Sequence, residues 1–312
     1  MEMKKYQSIT RLGHRLTLDV LKEGDHIVIQ EKIDGANASF RRDGDVVRAY
    51  SRNQELSKHN TLGGFYDWVQ ENIKAKDLLR GVIYFGEWTN SHKVKYPEYE
   101  KQFFLYDIFL YPESEFELEN WKNEKNGYYE SFAAVRMEAK QLGINTVPVF
   151  YEGEYQSFEH LQSFVGRTAL GGRLGDIETG EGIVVKNVKY YDRSGNQVFV
   201  KLVTDAFREV QKQKAPKDPT KAMTQEQEFV DQVVSEQRVE KFLYKFIDEG
   251  ILDENYGIED MGIILKNMNQ RILEDVLKEE SDMLPEEYDE KQLNKAIARV
   301  VARNVKTLIN KR

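Results

Sequence analysis

The run from Asp25 to Tyr50 constrains the fold more than any other stretch. Apolar and polar residues alternate through it, and two Asp-Gly pairs, Asp34-Gly35 and Asp43-Gly44, interrupt it nine residues apart. A period of two places successive side chains on opposite faces of a strand, so such a run builds antiparallel sheet. The two pairs have different neighbours. Asp43-Gly44 lies inside ASFRRDGDVVRAY, with alternating residues on both sides, which is the setting of a two-residue hairpin. Asp34-Gly35 follows Glu31 and Lys32 and is followed at once by Ala36 and Asn37, which predicts a turn other than a hairpin, either a bulged or kinked one with an exposed lysine or a bend that turns Lys32 toward a pocket.

The same texture extends over the first two hundred residues or so. HIVIQEKI, GVIYFGEW, QFFLYDIFLY, GIVVKNV and QVFVKLV read as further strands, while helical spacing appears in GGFYDWVQENIKAKDLL (Phe65, Trp68, Val69, Ile73, Leu78) and from Tyr129 to Leu142. This predicts an α+β fold with antiparallel sheets rather than a doubly wound one. The segment KQKAPKDPTKAM then carries two of the six prolines and several lysines, and the texture changes after it. Three long amphipathic patterns follow, through Phe229 to Phe246, Ile264 to Val276 and Leu293 to Leu308. The first opens on TQEQ, a capping box of Thr224 and Gln227, and is expected to run to Gly250. The expected organisation is a domain over 1–215, a linker over 216–223 and a small all-helical domain over 224–312. The glycine cluster GGRLG at 171–175 follows no strand and lacks the P-loop lysine, so it reads as a loop.

Composition bounds the function. A chain of 312 residues is long enough for two cores. The absence of cysteine excludes thiol catalysis and cysteine-ligated metal, and no apolar run has the length of a membrane span. With no secretory-type leader in the opening residues, a cytoplasmic setting in a bacterial or phage-infected cell is expected. The net charge of −8 argues against coating nucleic acid by bulk attraction, but the charge is uneven. Acids dominate from Tyr111 to Glu159. Bases dominate from Lys186 to Lys221 (Lys186, Lys189, Arg193, Lys201, Arg208, Lys212, Lys214, Lys217, Lys221), a stripe suited to a polyanion held at one place and equally to a solvated surface. The five histidines show no metal-ligand spacing and receive no role.

Lys32 opens the pattern Lys-x-Asp-Gly-x-Asn, and companions follow in order. KKYQSI lies at the start, YSRN at 50–53, FGEW at 85–88, FFLYDIF at 103–109, EGIVVK at 181–186 and FVKLV at 199–203. In this ordered set the chain resembles the covalent nucleotidyltransferases, most closely the ATP-dependent RNA ligases of the bacteriophage RNA ligase 2 type, over residues 1 to about 205. The resemblance implies an antiparallel-sheet nucleotidyltransferase (ATP-grasp-like ligase) domain with ATP and Mg2+ or Mn2+ as cofactors. It implies Lys32 as the nucleophile, with Lys186 and Lys201 on the phosphates. Glu31 would meet the adenine amine, Tyr106 and Val184 would enclose the base, and Arg52 would lie near the ribose or the incoming 5′-phosphate. Asn37, Glu87 and Glu181 would hold the metal, partly through water. DNA ligases and capping enzymes share this core but typically carry arginine where Asn37 stands, and they append a β-barrel rather than helices. In the fifth motif Val203 occupies a position where the family usually has a second lysine, so Lys201 acts alone or another base such as Lys189 substitutes.

The residue types suit the chemistry on their own account. A lysine amine attacks phosphorus only when neutral, and the charge developing on the phosphate needs cations such as Lys186 and Lys201 beside it. Glu87 and Glu181 are hard oxygen donors suited to magnesium or manganese. Taken singly, Tyr106 and Val184 read as core, and the acids and lysines as surface charges. The expected reaction is RNA ligation through a lysyl-AMP intermediate and an AMP-capped 5′ end. The partner would be nicked or broken RNA, as duplex RNA or an RNA-DNA hybrid, and the enzyme a monomer. A minimal DNA ligase and a catalytically inactive nucleic-acid-binding scaffold are the alternatives.

Overall fold

The computed structural model describes residues 3–90, 92–111, 127–192, 194–208 and 224–311. The expected linker at 216–223, residues 112–126 of the acidic stretch, Arg193 and the bases from Lys212 onward lie outside the described residues. The chain divides into two compact units, Met1–Thr204 and Asp205–Arg312.

In the first unit the strands are β1 (Thr10–Arg11), β2 (His26–Lys32), β3 (Ala36–Asp43), β4 (Val46–Ser51), β5 (Val82–Trp88), β6 (Phe103–Leu110), β7 (Tyr128–Tyr129), β8 (Asn145–Thr146), β9 (Val149–Glu154), β10 (Arg173–Leu174), β11 (Ile177–Glu178), β12 (Gly182–Tyr191) and β13 (Gln197–Val203). The helices are α1 (Phe65–Asn72), α2 (Phe132–Leu142) and α3 (Phe158–Gln162). One sheet has the order β1-β13-β12-β2-β9 and the other β4-β3-β5-β6-β7, with β8 added beside β6. All the long pairings are antiparallel.

The two Asp-Gly pairs differ as their neighbours predict. Asp43 is the last residue of β3 and pairs with Val46, the first of β4, so Gly44 and Asp45 close a hairpin, with Gly44 at φ +62°. Residues 33–35 instead carry the chain from β2 in one sheet to β3 in the other. A Cβ on Gly35 would lie 2.5 Å from the Trp88 carbonyl oxygen, so only glycine lets the crossover pass that close.

Between the sheets an aromatic cluster of Tyr6, Phe85, Phe109, Tyr129 and Phe199 joins Ile83 as core. Behind the first sheet Ile27, Ile29, Ile183, Val185 and Val200 pack with Leu161 and Phe164. The expected helix over 63–79 is shorter than its pattern: α1 stops at Asn72, and Ala75–Asp77 forms a separate 3-10 turn. The second pattern likewise begins late, because Tyr128 and Tyr129 pair as strand with β6 and Ser131 caps α2. The cluster 171–175 is not wholly loop: Arg173 and Leu174 pair with Glu178 and Ile177 in a small hairpin.

The second unit is α4 (Gln225–Val233), α5 (Glu236–Asp248), α6 (Met261–Glu279) and α7 (Glu290–Asn310). Thr224 and Gln227 form the expected capping box. The first pattern, expected to be one helix to Gly250, breaks at Val234, where the Ser235 hydroxyl accepts from the Arg238 amide and starts α5. The four apolar faces share one core that includes Phe229, Phe242, Phe246, Met268, Ile272 and Val301. Arg238 is fully buried in it, donating to Asp275 at 2.7 Å and to Glu280 at 2.6 Å.

Candidate active site

Strand register assembles the site. Along the first sheet Lys32 pairs with Gly182 and Gly182 with Val203; in the next row Gln30, Val184, Lys201 and Arg11 lie side by side; in the next are Val28, Lys186 and Phe199. Partners in register share a face, so Lys32, Val184, Lys186 and Lys201 look to the same side, with Arg11 beside Lys201. In the second sheet Asn37 pairs with Glu87, and Ser39 with Phe85 and so with Asp107. Since Phe85 and Phe199 meet in the aromatic cluster, these two faces oppose each other.

Lys32 donates to Glu181 at 2.6 Å, which joins residues 149 positions apart. Burial pulls the Lys32 ammonium down, but the carboxylates of Glu181, Glu87 and Asp34 outweigh it and hold its pKa above the ordinary lysine value. Glu87 accepts from the Gly35 amide at 3.1 Å. Burial pushes its carboxyl up to about 8, against the opposing pull of Lys32 and His92. Glu181 is raised by burial as well, and Lys32 moderates the rise. The local balance is therefore acidic around an amine that must lose its proton to react.

Lys186 is 3% exposed, and its Nζ lies 2.7 Å from Asp107 and donates to the Tyr106 carbonyl at 2.9 Å. Burial lowers the Lys186 pKa and raises that of Asp107, each offset by the other. Tyr6, from the KKYQSI stretch, donates its hydroxyl to Asp107. This placement depends on a bulge in β6, because Phe85 pairs with Asp107 and Gly86 with Leu105, leaving Tyr106 as the extra residue. The Tyr106 hydroxyl accepts from Asn37, and its ring packs against Tyr6 with centroids 4.8 Å apart.

Glu31 has its neighbour's strand but the other face. Its two carboxylate oxygens accept from the Thr168 hydroxyl at 2.7 Å and the Ala169 amide at 2.8 Å. Burial raises its pKa, and those hydrogen bonds hold it back. Arg52 lies on the turn after β4, donating to Ser8 at 3.4 Å, near enough to Tyr106 to oppose the rise that burial imposes on the phenol. A cavity of about 310 Å³ beside Trp68, Phe103 and Asn145 contains none of the predicted site residues.

Four groups at the site were not singled out from the sequence. Asp34, inside the Lys-x-Asp-Gly pattern, could have been found from its position. Asp107 stood in a quoted motif without a role. Arg11 and His92 carried no local signal and are placed only by register and by the loop after β5. Among the described residues no three His, Asp or Glu side chains converge as a ready-made metal set. The donor chemistry still fits a divalent cation, since Glu87 and Glu181 bring the oxygens of two carboxyl groups next to Lys32.

A family model described as RNA ligase matches residues 25–203. No curated protein matches the chain. Among solved structures, an RNA ligase of Naegleria gruberi, a ligand-free lysine-to-alanine mutant, is 18% identical with a TM-score of 0.48, covering 66% of this chain and 57% of that one. A second N. gruberi structure, a lysine-to-alanine mutant with ATP and manganese, is 17% identical with a TM-score of 0.47, covering 64% and 56%. The chain thus spans less than two thirds of the length of those proteins.

Proposed function

The chain belongs to the RNA ligase family, and from that premise we propose that it is an ATP-dependent enzyme that seals a 5′-phosphate to a 3′-hydroxyl at nicks in duplex RNA or RNA-DNA hybrids. The observation that carries the reading is the convergence on Lys32. The lysine is bonded to Glu181, Glu87 stands near, and Lys186, Lys201 and Arg11 share its face of the sheet.

In the first step Lys32 Nζ attacks the α-phosphorus of ATP, the bond to the β-phosphate breaks, and pyrophosphate leaves. Lys186 and Lys201 offset the charge that develops on the α-phosphate. Arg11, the β1 partner of Lys201, supplies a second cation where Val203 offers none. AMP then passes from Lys32 to the 5′-phosphate of the broken strand, and the adjacent 3′-hydroxyl displaces AMP to close the phosphodiester. Glu87 and Glu181 would hold a divalent cation, partly through water, with Asn37 orienting it. Such a cation would supply positive charge that lowers the proton affinity of the Lys32 amine. Val184, on the same face as Lys32, would lie against the base, while the expected contact of Glu31 with the adenine amine is not retained, because its carboxylate is on the opposite face and holds the 168–169 segment.

The test is label transfer from α-labelled ATP, with magnesium or manganese, followed by sealing of a nicked duplex with ribose or deoxyribose at the 3′ side. Wild-type protein should take the label and return it to pyrophosphate, and Lys32→Ala should take none. Stable label on Lys32→Ala would sink the assignment, and equal sealing of an all-deoxyribose nick would favour a DNA ligase.

A further inference from the structure

His92 reaches the nucleophile through Asp34. The segment after β5 grips Asp34 with three alternate residues. The Val94 amide donates to its carboxylate at 2.8 Å, the Tyr96 hydroxyl accepts from its backbone amide at 3.0 Å, and His92 Nδ1 lies 3.5 Å from its other carboxylate oxygen. His92 is 6% exposed, so the contact is made away from bulk water. Asp34 is two residues from Lys32 in the crossover that Gly35 and Glu87 also anchor, and its carboxylate is one of those acting on the ammonium. The Asp34 carboxylate is held by Val94 and His92, and the direct hydrogen-bond partner of Lys32 is Glu181. Buried partners that fix a reacting group in this way set its geometry, and a misplacement of about 1 Å costs on the order of 100-fold in rate.

We propose that His92 is a positioning residue for the nucleophile: it pins Asp34 to the 92–96 segment so that Lys32 faces the nucleotide, and it serves the attack on ATP rather than the later closure of the phosphodiester. This rests on the ligase reading above. In the step concerned the Nζ–P bond forms and the bond from P to the β-phosphate oxygen breaks. Pyrophosphate leaves with the electron pair, and the two protons shed by the Lys32 ammonium pass to solvent. The closing step uses an AMP already on the RNA and needs no attack by Lys32.

The experiment compares His92→Ala and His92→Asn with wild type in two assays on the full chain. One is single-turnover labelling with α-labelled ATP, and the other is sealing of a nicked duplex whose 5′ end is chemically pre-adenylylated, without ATP. The expected result for His92→Ala is a labelling rate down by about 10- to 100-fold, with pre-adenylylated sealing within about threefold of wild type. Asparagine keeps a donor close to the Nδ1 position, so His92→Asn should recover most of the labelling rate. Labelling by His92→Ala within about twofold of wild type would overturn the proposal, as would an equal loss in both assays with no recovery by asparagine. If wild-type protein takes no label, the ligase reading itself has failed; if it labels and the alanine variant labels equally, only the role of His92 has.

Discussion

At the scale of single residues the site is a balance of buried charges, and two substitutions read it. Glu87 is held as a carboxylic acid by burial, with its pKa in the folded protein near 8, above the ordinary value of 4.5. An acid with a raised folded pKa binds its proton more tightly in the native state, so its contribution to stability is full below the ordinary value and is lost as pH rises through about 8. Glu87→Gln should therefore melt close to wild type at about pH 5 and above it at about pH 9 in thermal scans without nucleotide or metal. Its label transfer should fall, because an amide offers a cation no charge. Asp107 is raised by burial too, but a lysine holds it back directly. It is 1% exposed and is the carboxylate partner of Lys186 at 2.7 Å, so Asp107→Asn leaves a buried ammonium without its counter-charge. A cost of about 3–5 kcal/mol is expected in denaturant unfolding. The sequence marked Lys186 and Glu87 by their place in ordered motifs. It had no means of assigning Asp107 to Lys186, because 79 positions separate them and only the facing sheets bring them together.

Elements show which local signals survive packing. The strands that were legible, β2 to β6, β12 and β13, owe it to alternation combined with turn residues. The half-exposed β9 went unremarked because Val149–Glu154 lacks a buried stripe of its own and is held by pairing with β2. The helix expected to run to Gly250 broke at Ser235, a residue whose capping role competes with the continuous apolar pattern around it. The crossover at Gly35 and the hairpin at Gly44 allow a direct comparison. Gly44→Ala must adopt φ near +62° with open space around its Cβ, and should cost about 1–2 kcal/mol while leaving label transfer intact. Gly35→Ala meets the Trp88 carbonyl oxygen at 2.5 Å and displaces the turn that carries Asp34, so label transfer should drop by about 100-fold or more. Equal label transfer by the two variants would show that the crossover does not position Lys32.

For the whole molecule, two units with separate cores imply separable unfolding. Arg238 bridges α5 to Asp275 and to Glu280 inside the helical core. Arg238→Met removes the cation that Glu280 and Asp275 share, with Lys241 still 3.8 Å from Asp275, and should destabilise the second unit by about 3–5 kcal/mol. Calorimetry should then record a lower transition for the helices and an unchanged one for the sheets. A single transition shifted as a whole would mean the two units unfold together. The sequence by itself determined the α+β class and the change of texture between sheets and helices, and it pointed to Lys32, Lys186 and Lys201, because strand period, capping boxes and ordered motifs are local properties that the chain carries into any fold. Only the tertiary structure decided which groups meet: Arg11 beside Lys201, Asp107 on Lys186, His92 on Asp34, and Glu31 turned to the opposite face from Lys32. The first two depend on the register of strands far apart in the chain and, for Asp107, on the bulge at Tyr106, where a shift of one residue would turn the side chain to the other side of its sheet; the contact of His92 with Asp34 depends on how the crossover and the segment after β5 meet.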